Sequence, residues 1–99
     1  MNCVRTDTET ETRLAIEGSL DALTAAEIRP VFDKVVADRR RRVIVDASKL
    51  TLLDSSGVGA IVSLYKRLKA DGGQLNVAGA RDQPLAVLKL LKLDRVFGL

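Results

Sequence analysis

Histidine and tryptophan are absent from the 99 residues, cysteine and methionine occur once each, and aromatic side chains make up only 3%. Without imidazole there is no histidine-based triad and no zinc site built on histidine ligands. A single thiol, Cys3, forms neither a disulfide within the chain nor a redox Cys-x-x-Cys pair. So few aromatic rings offer no stacking platform for single-stranded nucleic acid. No apolar run approaches the roughly 18 residues that read as a membrane span. The N-terminal Met1-Asn2-Cys3-Val4-Arg5-Thr6-Asp7 lacks the apolar stretch of a secretory signal. A cytoplasmic location is the expectation.

What is present describes an ordinary globular chain. The length suits one domain over residues 1–99, and a hydrophobic fraction of 46% is enough to build one core. Charge is unevenly spread. Residues 1–38 hold four basic against eight acidic side chains, and residues 39–99 hold twelve against five. The one basic run, Arg39-Arg40-Arg41-Arg42, opens two readings. It is a nucleic-acid surface, or it caps the end of the preceding helix.

The pattern along the chain alternates strand and helix. Arg13-Leu14-Ala15-Ile16-Glu17 has the period of a strand with one buried face, ended by Gly18. Thr24-Ala25-Ala26-Glu27 reads as a capping box. The stripe Ile28, Val31, Phe32, Val35 and Val36 follows at helical spacing, with Pro30 predicting a bend or an irregular first turn. Val43-Ile44-Val45 predicts a strand buried on both faces. A second helix is expected from Ser56 to Asp71, with Val58, Ile61, Val62, Tyr65 and Leu68 inward and Gly72-Gly73 as its stop.

Gln74-Leu75-Asn76-Val77-Ala78 predicts another strand. Asp82 is expected to cap a third helix with Pro84 in its first turn and Leu85, Leu88 and Leu91 as its stripe. Residues 93–99 suggest one more short helical turn. Residues 3–12 fit an exposed edge strand or a frayed arm equally. Such alternation implies βαβ units and partly parallel pairing.

Leu50-Thr51-Leu52-Leu53-Asp54-Ser55-Ser56-Gly57-Val58-Gly59 joins the central strand to the second helix. That position, beyond a strand's carboxyl end, is where α/β proteins place functional sites. Asp54 and the serines are equally good helix caps. Enzymatic readings fail on spacing. The flanking glycines of a Gly-x-Ser-x-Gly elbow are not both present. The third glycine of a dinucleotide fingerprint is Val62, and no lysine follows the glycines until Lys66, which excludes a P-loop. Asp21 and Asp54 remain as an acid–base pair with no substrate to mark it.

The segment from Val43 through Asp46-Ala47-Ser48 to Gly59 resembles the signature of STAS domains, and within them the bacterial anti-sigma factor antagonists. Glu17-Gly18-Ser19-Leu20-Asp21, residues 72–79 and Leu93-Asp94-Arg95-Val96-Phe97 are similar to further segments of that family. The resemblance spans roughly residues 13–99 and implies a β-α superhelix on a mixed sheet of four to five strands with about four helices. It also implies a binding module without catalysis or cofactor. Ser56 would be phosphorylated by an anti-sigma factor that is also a serine kinase, and a phosphoserine phosphatase would reverse it. Unphosphorylated, the chain would hold the anti-sigma factor and so free a sigma factor. Asp21, Asp54, Ser55, Ser56 and Gly57 are the partner-binding positions that it implies. A STAS subunit of a transporter or signalling assembly keeps the fold and changes the partner.

Overall fold

The structure is a computed structural model that describes residues 2–99; Met1 lies outside the described residues. Eight elements follow one another. They are β1 (Asn2–Asp7), β2 (Thr12–Leu20), α1 (Ala22–Ala37), β3 (Arg42–Asp46), β4 (Leu50–Leu53), α2 (Ser55–Ala70), β5 (Gln74–Ala78) and α3 (Asp82–Leu90). The sheet runs β1-β2-β3-β5, with β4 also paired to β2. Only β1 is antiparallel to its neighbour. Residues 2–7 are therefore an edge strand.

Alternation sets the core. Leu14, Ile16 and Leu20 of β2, Val43 and Val45 of β3, and Leu75 and Val77 of β5 are all buried. Each lies two or four residues from the next on its strand, so they share one face. The apolar stripes of α1 (Ala25, Ile28, Phe32, Val35) and α2 (Val58, Ile61, Leu64, Leu68) are buried with them in one cluster. On the opposite face Arg13 of β2 pairs with Asp46 of β3 at 3.2 Å. Burial of β3 on both faces is thus corrected: Ile44 is only half-buried, because the helices α1 and α2 cover one side.

Several boundaries differ from expectation for local reasons. Gly18 does not end β2. It takes φ of +83°, open to glycine at little cost, and the register shifts between Gly18 and Ser19. The extra residue is Thr51 of β4, since Gly18 faces Leu50 and Ser19 faces Leu52, and this bulge re-aims β4 beside the end of β2. Residues 50–53, expected as loop, are that strand. Helix α1 starts before the expected capping box, with Asp21 as N-cap and Thr24 as the reciprocal partner. It runs unbroken through Pro30. Pro30 and Ala26 are exposed, so water can serve the carbonyl that the proline leaves without a donor.

Leu64 joins the buried stripe of α2 in place of Val62 and Tyr65, which are half-buried. Gly72 stops α2 with φ of +78°, as its position after the stripe predicted. Asp82 is not a cap but the first residue of α3; Arg81 precedes it without a side-chain cap bond. Leu91 lies beyond the helix and is exposed.

The expected four helices are three. Residues 93–99 form hydrogen-bonded turns, pinned by Phe97. Its ring is buried against Tyr65 at 5.7 Å, edge to face. Its carbonyl accepts from the Val77 amide at 2.9 Å.

Arg40 of the basic run is spent inside the fold. Its Nε donates to Thr12 Oγ1 at 2.7 Å, and its Nη2 donates to the carbonyls of Thr8 (2.6 Å) and Glu11 (2.8 Å). Thr12, a buried polar residue, donates its own hydroxyl hydrogen bond to Asp7 Oδ1 at 2.7 Å. Arg39 bends the chain at φ of +54°, and Arg42 opens β3. Arg39, Arg40 and Arg42 therefore do different jobs, and Arg40 clamps the β1–β2 turn. Replacing Arg40 by Met keeps the bulk and removes three charge-assisted bonds. A loss of about 1.5–3 kcal/mol is expected, read as a lower urea midpoint at unchanged slope. An unchanged midpoint would show the clamp to be idle.

Candidate functional site

Two parallel strands end side by side. Leu20 of β2 pairs with Leu53 of β4, so the next residues, Asp21 and Asp54, leave the sheet together. Each is extended and each caps a helix. Asp21 accepts from the amides of Leu23 and Thr24, both at 3.1 Å. Asp54 accepts from the Gly57 amide at 3.0 Å. The amide of Asp54 donates to the Leu20 carbonyl at 3.2 Å and ties the two turns together. Thr24 completes the first turn, accepting from the Asp21 amide and donating to the Ser19 carbonyl, each at 2.8 Å.

Both carboxylates thus have structural work. The Thr24 amide, then the Thr24 hydroxyl and the Leu23 amide, hold the Asp21 carboxyl below the usual carboxylate range. Hydrogen bonds to the ionised form favour it.

Gly57 explains why the turn is so tight. A Cβ built there meets the Leu20 carbonyl oxygen, with Leu53 Cδ1 at 2.8 Å and Leu20 Cγ at 2.9 Å. The first turn of α2 therefore lies directly on the end of β2, where only glycine fits. Ser55 and Ser56, one turn-edge outward, are exposed. Neither hydroxyl is engaged by another described residue, and their amides are the orphan donors of the helix start. The five residues proposed for partner binding are brought to one end of the sheet. What distinguishes them is role: Asp21 and Asp54 cap, Gly57 permits the approach, and the two serines face outward.

A sixth residue belongs here. Gln83 of α3 accepts from the Leu53 amide at 2.8 Å and donates to the Leu53 carbonyl at 2.9 Å. One side-chain amide thus replaces the missing neighbour strand on β4, immediately before Asp54. Sequence reasoning missed it, since a polar residue on a short helix carries no signal. Asp21-Ala22-Leu23-Thr24, in contrast, has a capping pattern that could have been found.

Chemically the site offers a free hydroxyl on a helix N-terminus, with no base positioned against it. No group of three His, Cys, Asp or Glu side chains among the described residues could hold a metal ion. Among the described residues no helix is long and apolar enough to cross a membrane.

The sheet combines three parallel pairings with one antiparallel pairing, and β2 is shared between β3 and β4. An anti-sigma factor antagonist from Mycobacterium paratuberculosis has the same fold at a TM-score of 0.87, 23% identity, and coverage of 97% of this chain and 81% of its own. The phosphorylated form of SpoIIAA, a Bacillus cell fate determinant, follows at 0.78 and 20%, covering 96% and 87%. A sulfate transporter family protein from Wolinella succinogenes scores 0.77 at 17%, covering 94% and 75%.

The family model described as Mlab, STAS domain matches residues 3–99, and the chain belongs to that family. Among its relatives, an anti-sigma F factor antagonist from Paenibacillus polymyxa is 29% identical over 83 residues, 83% of this chain and 68% of that protein. An anti-sigma-B factor antagonist from Staphylococcus aureus is 28% identical over 68 residues, 69% and 63% respectively. The chain thus spans slightly under two thirds of the latter.

Two outcomes test the geometry. Gly57→Ala forces a methyl into a backbone oxygen that cannot yield, an overpacking cost of about 1–3 kcal/mol, and the melting temperature should drop by several degrees. A variant as stable as the parent would refute the close approach. The lowered Asp21 pKa adds stability above the ordinary carboxylate value, near about 3.9. That contribution disappears as pH falls through the folded value. Asp21→Asn, which still caps, should therefore lose less stability on acidification than the parent in urea titrations; parallel acid limbs would exclude Asp21.

Proposed function

We propose that this chain is an anti-sigma factor antagonist: a protein-binding module switched at Ser56, with no chemistry of its own. One observation carries the reading. Ser56 presents an unengaged, exposed hydroxyl on the second residue of α2, two residues after the capping Asp54 and on a surface that needs no rearrangement to be reached. The names of the curated relatives, both antagonists of anti-sigma factors, supply the class of partner.

The switch follows from charge and position. Phosphorylation adds about −1.5 to −2 charge and three acceptor oxygens. The orphan amides and positive end of α2 tolerate an anion there, so the fold persists. A partner face packed over Ser55, Ser56 and Gly57 would have to bury that charge unpaired beside Asp21 and Asp54, which is costly. Unphosphorylated chain therefore holds an anti-sigma factor that is also a serine kinase; modified chain releases it, and a phosphoserine phosphatase restores binding. Residues 1–99 act as one unit in this scheme, at work in the cytoplasm.

A second reading keeps the surface and changes the partner to a transporter assembly. The likeness to the Wolinella succinogenes protein favours it. The nucleic-acid reading of the basic run keeps the exposed Arg39, Arg41 and Arg42 but not Arg40, which is spent on the β1–β2 turn.

Incubating the chain with ATP and native lysate, followed by phosphopeptide mapping, should place one phosphate on Ser56 and none on Ser56→Ala. Label on that variant would defeat the assignment. Ser56→Asp should weaken capture of the partner at least about tenfold, or about 1.4 kcal/mol, with Ser56→Ala binding like the parent. Equal affinity of all three would sink the repulsive switch.

A further inference from the structure

Helices α1 and α2 start together at the end of the sheet and stay in step. The Arg67–Asp33 pair, 2.7 Å apart, joins residues 34 positions distant in sequence, and Ser56 stands in the same relation to Ala22. Along this parallel pair runs an open trough of about 760 Å³, with Ala22, Ala26, Gly59, Ala60 and Ser63 among the residues that line it. Phe32 and Leu64, both buried, close its lower end, and Ser56 stands at its upper rim. Eleven residues at 1.5 Å per residue make it about 16 Å long, or three helical turns.

We propose that this trough seats an acidic amphipathic helix of the partner protein, with one of its carboxylates on Arg29. The inference deepens the antagonist reading only in linking the trough to Ser56; the seat itself rests on geometry. Two arguments choose the occupant. First, beyond their first turns the walls are α-helices whose backbone groups are already paired, so an extended segment would leave its own amides and carbonyls without partners there. A helix satisfies its own. The small side chains let its backbone approach closely, and the apolar base receives its aliphatic stripe, as in helix-in-groove recognition.

Second, the lining carries Arg29 and Arg67 and no carboxylate. Arg67 is shared with Asp33, whereas Arg29 is exposed and makes no ion pair among the described residues. An uncompensated cation over an apolar floor selects an acidic helix. A phosphate on Ser56 would stand at the rim facing that same acidic helix, so repulsion reaches the partner without any change of fold.

The test is photo-crosslinking in cells, with p-benzoylphenylalanine in place of Ser63 and, in a separate chain, in place of Ser55. The Ser63 probe should attach to one protein segment carrying Asp or Glu at helical spacing. Arg29→Glu, and independently Ala26→Trp, which fills the trough from an exposed position, should each lower that yield at least tenfold with the melting temperature held. An adduct at Ser55 with none at Ser63, an adduct to a second copy of this chain or to a non-protein molecule, or yields indifferent to both substitutions overturns the proposal. If Ser56→Asp lowers the Ser63 yield and Arg29→Glu does not, the switch stands and the trough falls. The reverse result keeps the trough and removes the switch. No adduct at either position defeats both.

Discussion

Strand β2 pairs with β1 along one edge and with β3 and then β4 along the other, and this division of one strand between partners sets where everything else begins. The left-handed Gly18 begins the pairing with β4, and the extra residue Thr51 of β4 shifts the register at the next step. With β4 held beside Leu20, the two chains leave the sheet at Asp21 and Asp54 in parallel. From that common start the two helices run in step, and the trough between them is a consequence. Gly57 keeps the second helix pressed onto the strand end. A bulkier residue there would separate the turns that bring Asp21 and Ser56 to one surface.

The site is built so that structural and functional duties fall on different atoms. Carboxylates satisfy helix amides, glycine permits contact, and Gln83 closes the outer edge of β4 as a strand would. The serine hydroxyls are left without internal duties. A modification at such a group changes surface charge while leaving packing untouched, which is what a reversible signal requires. The same economy appears at the far end of the sheet, where Arg40 satisfies two turn carbonyls and a buried threonine at once.

Much of the fold was legible wherever one residue's environment is set by near neighbours. Val43 and Val45, Leu75 and Val77, and the stripes of α1 and α2 follow periodicity, and Gly72 marks a helix stop through its own backbone preference. β4 was not legible. Leu50-Thr51-Leu52-Leu53 buries its two ends and exposes its middle, a pattern with no strand period because the extra residue Thr51 interrupts the alternation. The capping of α1 was misplaced by one turn because Thr24 suits either end of a box, and the choice depends on where β2 releases the chain. Asp54, Ser55, Ser56 and Gly57 were legible as a helix start. Their convergence with Asp21 required the pairing of Leu20 with Leu53.

The sequence by itself determined that this is an α/β chain, with no imidazole or thiolate set for metal or triad chemistry, and that a serine-rich turn opens its second helix. Those conclusions depend on composition and on spacing within a few residues. Tertiary structure alone decided which arginine of four is spent inside the fold, which amide closes β4, why residue 57 must lack a side chain, and that two helices leave an uncompensated Arg29 above an apolar floor. Each of these rests on contacts between residues about 20 to 40 positions apart, where closing the chain on itself, and not local preference, selects the partner.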